Sequence, residues 1–250
     1  MLKVEPSGSV VVLTLDRPER RNAIDRTLAR ALGEAVRKAS NDASVRAIVL
    51  TAAGDGVFTA GGDIREIAQL TQDGAPGSAI LDVFQDLVAL EEGDVPIIAA
   101  VHGDVFGGGC ELLLLCDFVL VEEQATLAFR HARMGLSPAW GGLPRLVERV
   151  GPLHASRLLL TAERIGAAEA FRIGLVNEVV PRASSRAKAL ALAEELSRAP
   201  RSSVAALKHA LRKVREEARG RGREIERDAF TQRWGGADHR HALDQFLQRK

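Results

Sequence analysis

An α/β fold of βαβ units, closing in a helical C-terminal section, is what this sequence predicts. Three observations carry that expectation. Short apolar, β-branched runs alternate with amphipathic stretches over roughly the first 120 residues, the pattern of parallel strands joined by crossover helices. Beyond about Gly141 the periodicity becomes helical almost throughout. The chain has 250 residues, 46% hydrophobic and 27% charged, enough to bury a core without disulfides or metal staples.

The elements follow in order. Residues 10–15 are apolar and β-branched and predict a strand, which Arg17-Pro18 stops. Asp25 is placed to cap a helix running to about Lys38, with Leu28, Ala31, Leu32 and Ala35 on one stripe. Residues 46–51 predict a second strand and 52–62 a loop, and Asp63 can cap a short helix through about Leu70. Residues 71–77, rich in Gly, Pro and polar side chains, read as a mobile loop before one helix over 78–92. Residues 96–101 predict a strand buried on both faces and 103–109 a glycine-rich turn. Residues 110–116 form a helix apolar almost all round, hence buried, and 118–121 a strand. Helices are expected over 152–160, 167–173, 185–198, 202–219 and 238–247, with a short strand at 176–180. No internal repeat is visible.

Charge narrows the function classes. With 34 basic and 33 acidic residues the formal net charge is +1, which supplies no global field for nucleic acid or an anionic membrane. No apolar run reaches the ~20 residues of a membrane helix. Residues 1–8 carry charge and lack the apolar stretch of a signal peptide, so a cytoplasmic location is expected. Cys110 and Cys116, six positions apart on one helix, would lie roughly 9 Å apart along its axis, too far for a disulfide. They read as buried thiols of a reducing compartment. The basic stretch 208–223, interrupted by Glu216 and Glu217, reads as a solvated amphipathic helix. It lacks an aromatic residue for base stacking, which disfavours RNA.

Two glycine-rich segments carry the chemistry. The first is Phe58-Thr59-Ala60-Gly61-Gly62-Asp63-Ile64, and the second runs from His102-Gly103 through Gly107-Gly108-Gly109 to Cys110-Glu111. Neither fits the dinucleotide or phosphate-loop patterns. Nucleophile-elbow and zinc-protease motifs are absent from the sequence. Each segment follows a strand and opens a helix. A helix start leaves amide donors unpaired, and glycine lets another group approach them. Two such amides aimed at one point would bind a developing oxyanion, where a single donor is worth ~3–4 kcal/mol. Tight packing between turns is the alternative reading.

Taken together, the two segments resemble the paired signature of the enoyl-CoA hydratase/isomerase (crotonase) superfamily. The first is similar to F-x-A-G-x-D-I/L and the second to G-x-x-x-G-G-G-x-E-L/F, followed by the C-D of Cys116-Asp117. Residues 15–23, Gly135, Pro138, Gly141-Gly142, Arg145-Leu146, Leu160-Thr161, 167–170 and 174–176 extend the resemblance from about residue 8 to 248. It implies a ClpP/crotonase-like ββα spiral over residues 1–195 and a helical trimerisation region over 196–250, assembled as a homotrimer or a hexamer. It implies an acyl-CoA thioester substrate, with coenzyme A as part of the substrate and no separate cofactor or metal. By the same resemblance Gly62 and Gly108 supply the oxyanion-hole amides. Ala23, Ala60 and Ile64 would contact the adenine and pantetheine portions, with Asp63 in the same substrate-binding segment. Arg20 and Arg21 face the coenzyme A phosphates or are simply solvated.

The reaction turns on two positions. Hydratases of this family hold one water between two glutamates. The first matches Glu111, and the second falls on His131. The stretch 129–142, with His131, Met134, Pro138 and Trp140-Gly141-Gly142, is similar to ethylmalonyl-CoA decarboxylases, as are Glu226-Arg227-Asp228 and Trp234-Gly235-Gly236. Decarboxylation of a short branched malonyl-CoA-type thioester is therefore the leading expectation. The two amides would hold the enolate, and His131, whose imidazole titrates near neutrality, would receive the carboxylate or protonate the α-carbon. Trp140 would wall the site, and Glu111 would be either protonated or an orienting partner for His131. Hydration or isomerisation of a short enoyl-CoA is the alternative, and a non-catalytic binding protein of the same fold is the third reading.

Overall fold

The apolar runs form strands as expected, but most are followed by a second, shorter strand that the sequence does not announce. The computed structural model describes residues 1–248. β1 (Leu2–Ser7) and β2 (Val10–Leu15) form an antiparallel hairpin, followed by α1 (Arg26–Asn41). Next come β3 (Ala47–Ala52), β4 (Val57–Thr59) and α2 (Ile64–Gln72). The expected single helix over 78–92 is instead three short ones, α3 (Ser78–Leu81), α4 (Val83–Leu87) and α5 (Ala89–Glu92). Then follow β5 (Ile97–Val101), β6 (Asp104–Phe106), α6 (Gly108–Leu114), β7 (Phe118–Glu122) and β8 (Thr126–Ala128).

The second half contains α7 (Gly142–Thr161), β9 (Ile165–Gly166), α8 (Ala167–Arg172), β10 (Glu178–Val180) and α9 (Ser185–Ser197). It closes with α10 (Arg201–Arg219), α11 (Gly222–Arg233) and α12 (Ala237–Gln248). α7 starts ten residues before the expected 152 and bends at Gly151, whose φ of 73° leaves the helical region just before Pro152. α11 was not anticipated.

The larger sheet has the order β1-β2-β3-β5-β7-β10, parallel from β2 onward. The smaller has the order β4-β6-β8-β9, parallel except at its last pair. Three successive turns of chain lay one strand in each sheet and then a helix: β3-β4-α2, β5-β6-α6 and β7-β8-α7. This is the ββα spiral. β2 and α1 make an incomplete first turn, whose only small-sheet member is the parallel bridge of Ile24 to Gly62. The short strands escape periodicity because three residues are too few to show it.

β5 is buried along its whole length, and α6 buries Gly109 through Leu114. Residues on both faces of the large sheet are thus apolar, as a parallel sheet covered by helices requires. The C-terminal helices fold back on the spiral. Trp234 donates its Nε1–H to Ala75 O at 2.8 Å and stacks on Phe230, anchoring the 71–77 segment expected as a loop.

The reading of 208–223 as solvated holds for most of its residues but not for two cations of α10. Lys208 is buried, with Nζ 2.6 Å from Asp117 and 3.0 Å from the Leu90 and Val95 carbonyls. Arg219 reaches Glu91 at 2.8 Å and Glu148 at 3.2 Å. The apolar side chains Leu207, Leu211 and Val214 are the exposed ones.

Candidate functional site

The two glycine segments meet backbone to backbone. Thr59 Oγ accepts the Gly61 amide at 3.1 Å and donates to Asn22 O at 2.7 Å, which shapes the first turn. Gly61 has φ +88°, and a Cβ there would lie 2.9 Å from Gly108 N and 2.5 Å from Phe106 O. Only glycine permits both that conformation and that approach. Gly62 leads into α2 and Gly108 is the first residue of α6. Neither amide donates to a protein acceptor among the described residues. They are therefore free donors at adjacent helix starts.

Asp63 caps α2 by accepting the Arg65 amide at 3.0 Å and pairs with Arg17 at 3.2 Å. Arg17 also reaches Asp25, the cap of α1, at 2.8 Å. Asn22, fully buried at φ 51°, accepts the Arg17 amide and donates to Ala53 O at 2.8 Å. Arg17 and Asn22 thus latch residues 15–23 to the first glycine turn, a role the sequence reading missed. Asp63 is committed to the same latch.

The Ala60 amide is engaged by Arg21 O, so any ligand contact at Ala60 would use its carbonyl. Ala23 is buried, Ile64 starts α2, and Arg20 and Arg21 are exposed at the edge of this segment.

Glu111 lies on α6 one turn beyond Gly108 and is 1% exposed. Its Oε2 accepts the amides of Trp140 at 2.7 Å, Gly142 at 3.0 Å and Ala139 at 3.2 Å. Its Oε1 meets His131 Nε2 at 2.9 Å. Oε2 is thus fixed by three backbone donors, and Oε1 holds the imidazole in place. A Cβ at Gly142 would fall 2.5 Å from Glu111 Cγ, so the turn closes on the acid only with glycine there. One proton is shared between His131 Nε2 and Glu111 Oε1, and Nδ1 is buried without a partner.

Trp140 is 4% exposed and its indole packs directly on the second glycine turn. A Cβ at Gly108 would fall 2.5 Å from Cζ3, and one at Gly62 would fall 3.8 Å from Cη2. One ring therefore lies against both glycine turns. Its Nε1 is buried without a partner.

The turn is held from its other side too. Glu226, on α11, accepts the Gly141 and Leu143 amides at 2.6 Å each. Burial, and then the charge of Glu111, push Glu226 up to about 8, against the pull of its two amide bonds and Arg145.

Two clefts, of about 260 and 700 Å³, lie elsewhere, one between α2 and α12 and one beside His102 and Arg182. Neither is lined by Gly62, Gly108, Glu111, His131 or Trp140. Among the described residues no three His, Cys, Asp or Glu side chains cluster as metal ligands, and no helix is long and apolar enough to cross a membrane. Cys110 and Cys116 are both free and buried, and burial pushes Cys116 up to about 12.

Two sheets wound as one ββα spiral, with paired glycine turns opening two helices, define the crotonase class of enzyme. The chain matches the enoyl-CoA hydratase/isomerase family over residues 5–250 and belongs to it. It is 36% identical over 249 residues to the 2,3-dehydroadipyl-CoA hydratase of Escherichia coli K12, covering 100% of this chain and 96% of that one. It is 32% identical over 246 residues to a probable mitochondrial enoyl-CoA hydratase of Dictyostelium discoideum, covering 98% and 87% of the two chains. The crystal structure of an enoyl-CoA hydratase/isomerase from Mycobacterium paratuberculosis superposes with a TM-score of 0.88 at 29% identity, over 98% of this chain and 97% of that one. These relatives do not carry the expected decarboxylase resemblance, since they are named as hydratases.

Proposed function

We propose that this protein adds water to, or removes it from, a short-chain enoyl-CoA thioester through an enolate held by the Gly62 and Gly108 amides. The observation that carries this reading is the His131–Glu111 pair beside the two free amides. In this reading Nε2–H donates to Glu111, which leaves Nδ1, without a protein partner, for proton transfer. In this reading water attacks the β-carbon and its proton passes to Nδ1. The electron pair of the double bond moves onto the thioester oxygen, where the two amides receive it. The imidazolium then returns the proton to the α-carbon, so one group takes and gives the same proton. In this reading coenzyme A would run along the segments that carry Arg20, Arg21, Ala23, Ala60 and Ile64. The hydratase names of the relatives support this reading.

Decarboxylation is kept as a second reading for a specific reason. The Glu111 oxygen Oε2 already accepts three amides, which leaves it poorly placed to hold a water, and the Trp140 indole lies against the hole. Loss of CO2 needs no water: the C–C pair passes to the thioester oxygen, and imidazolium protonates the α-carbon. Parallel assays with crotonyl-CoA, ethylmalonyl-CoA and methylmalonyl-CoA, read by mass spectrometry, separate the two. Formation of 3-hydroxybutyryl-CoA, lost in His131→Ala by about 10²–10⁴-fold, supports hydration. Butyryl- or propionyl-CoA without hydration overturns it in favour of decarboxylation. Binding with no turnover of any of the three leaves the non-catalytic reading.

The assembly proposed is a homotrimer or a pair of trimers. Its support is the exposed stripe Leu207, Leu211 and Val214 on α10, with Ile225 on α11.

A further inference from the structure

Five consecutive amides, from Ala139 to Leu143, end on two carboxyl groups. Glu111 takes those of 139, 140 and 142, and Glu226 takes those of 141 and 143. One acid comes from α6 in the spiral, the other from α11 in the section expected only to join copies of the chain. The turn carries Trp140, and it holds Glu111, which in turn holds His131. A rotation of any one of these peptides releases a buried donor, at about 1–3 kcal/mol.

Packing alone gives no reason for an acid at 226. α11 docks through Phe230 and Trp234, which bury apolar surface against Gly77. Glu226 is 2% exposed, and an acid at this position faces the charge of Glu111. The other charged groups around it are Arg145, whose Nη1 donates to Gly141 O at 2.9 Å, and Arg223, which lies over the Phe84 ring, with Glu91 beyond them.

We infer that Glu226 is a positioning residue for enolate formation: by holding the 141 and 143 amides it sets the 139–143 turn, and so the Glu111–His131 pair and the Trp140 wall. The inference rests on the enolate reading of the site. It makes the C-terminal helices part of the active site rather than an attachment to it. Sequence reasoning noted Glu226 only within a resemblance, because nothing local to α11 shows that its partner is a turn 83 to 85 residues away.

The test is α-proton exchange of butyryl-CoA in deuterated buffer, followed by NMR, with the number of bound ligands per chain measured by calorimetry. Exchange reports the enolate whether the natural reaction adds water or releases CO2. Glu226→Gln keeps the shape but offers one acceptor where two are needed, and turns an NH2 toward an amide donor. Exchange per bound ligand is expected to fall by about ten- to a hundredfold, with the dissociation constant for butyryl-CoA within about twofold. Glu226→Asp, which keeps the carboxyl group with a shorter reach, should lose less, and it decides the matter if the Gln variant does not fold. Val12→Ala, which loosens the separate core between the large sheet and α9, should lower the melting temperature and leave exchange per bound ligand unchanged. Wild-type exchange retained in the Glu226 variants overturns this inference alone, as does a parallel loss of binding and exchange. Absence of exchange in the wild-type protein overturns the enolate reading and this inference together.

Discussion

Glu91 and Glu226 are 5% and 2% exposed, on helices that both pack against α7 or its flanks, yet they titrate in opposite directions. Burial alone would raise both. At Glu91 the charge and hydrogen bonds of Arg145, joined by those of Arg219, outweigh burial and hold the carboxyl down at about 2. At Glu226 the partners are neutral amides and the nearest acid is Glu111, so burial prevails and the group rises to about 8. The difference teaches that this fold has two kinds of interior polar contact. One is a belt of paired charges that fastens α10 to the spiral, and the other is an uncompensated acid that shapes the site.

Breaking the belt should have the larger effect on stability. Glu91→Ala leaves Arg145 buried without its acid and Arg219 with Glu148 alone, and should cost about 3–5 kcal/mol in chemical denaturation. On the site side, Gly108→Ala puts a Cβ 2.5 Å from the Trp140 ring and disturbs the amide proposed as an oxyanion donor. Turnover of whichever thioester the wild-type protein uses should fall about 10²–10³-fold, with the fold retained by circular dichroism.

Acid and base should sharpen the contrast further. Glu91 has a folded pKa below its usual 4.5, so its contribution of about 3 kcal/mol is present above 4.5 and is lost as pH falls from there towards about 2. Glu226 has the reverse sign. Its contribution is fully present below about 4.5 and is lost as pH rises from there through about 8. Denaturation curves between pH 2 and 9 should therefore show an acid limb that flattens in Glu91→Ala and a neutral-to-alkaline decline that flattens in Glu226→Gln. The smallest effect on the single chain is expected from Leu211→Glu, within about 0.5 kcal/mol because the side chain is exposed. If α10 joins subunits, sedimentation should then show dissociation, and an unchanged assembly would place the interface elsewhere.

Much of this was legible in the chain. The strands at 10–15, 46–51 and 96–101, the caps Asp25 and Asp63, and the burial of α6 follow from local chemistry and were read correctly. The paired glycine turns were legible because both the residue type and its place before a helix are local signals. The second sheet was not, since its strands are three residues long or fewer. α10 misled because Leu207 and Leu211 face outward while Lys208 and Arg219 face in, the reverse of an ordinary surface helix at those positions.

The sequence by itself determined the class of fold, the paired glycine turns before two helices, and the candidacy of Glu111 and His131 for the site. These depend on which residue stands where along one short segment. Only the tertiary structure decided that Glu111 orients His131, that Trp140 lies on Gly108, and that Glu226 grips the turn between them. Those relations join residues 20 to 85 positions apart. Hydrogen bonds and packing distances across such gaps are set by how the spiral closes, and no local pattern encodes them.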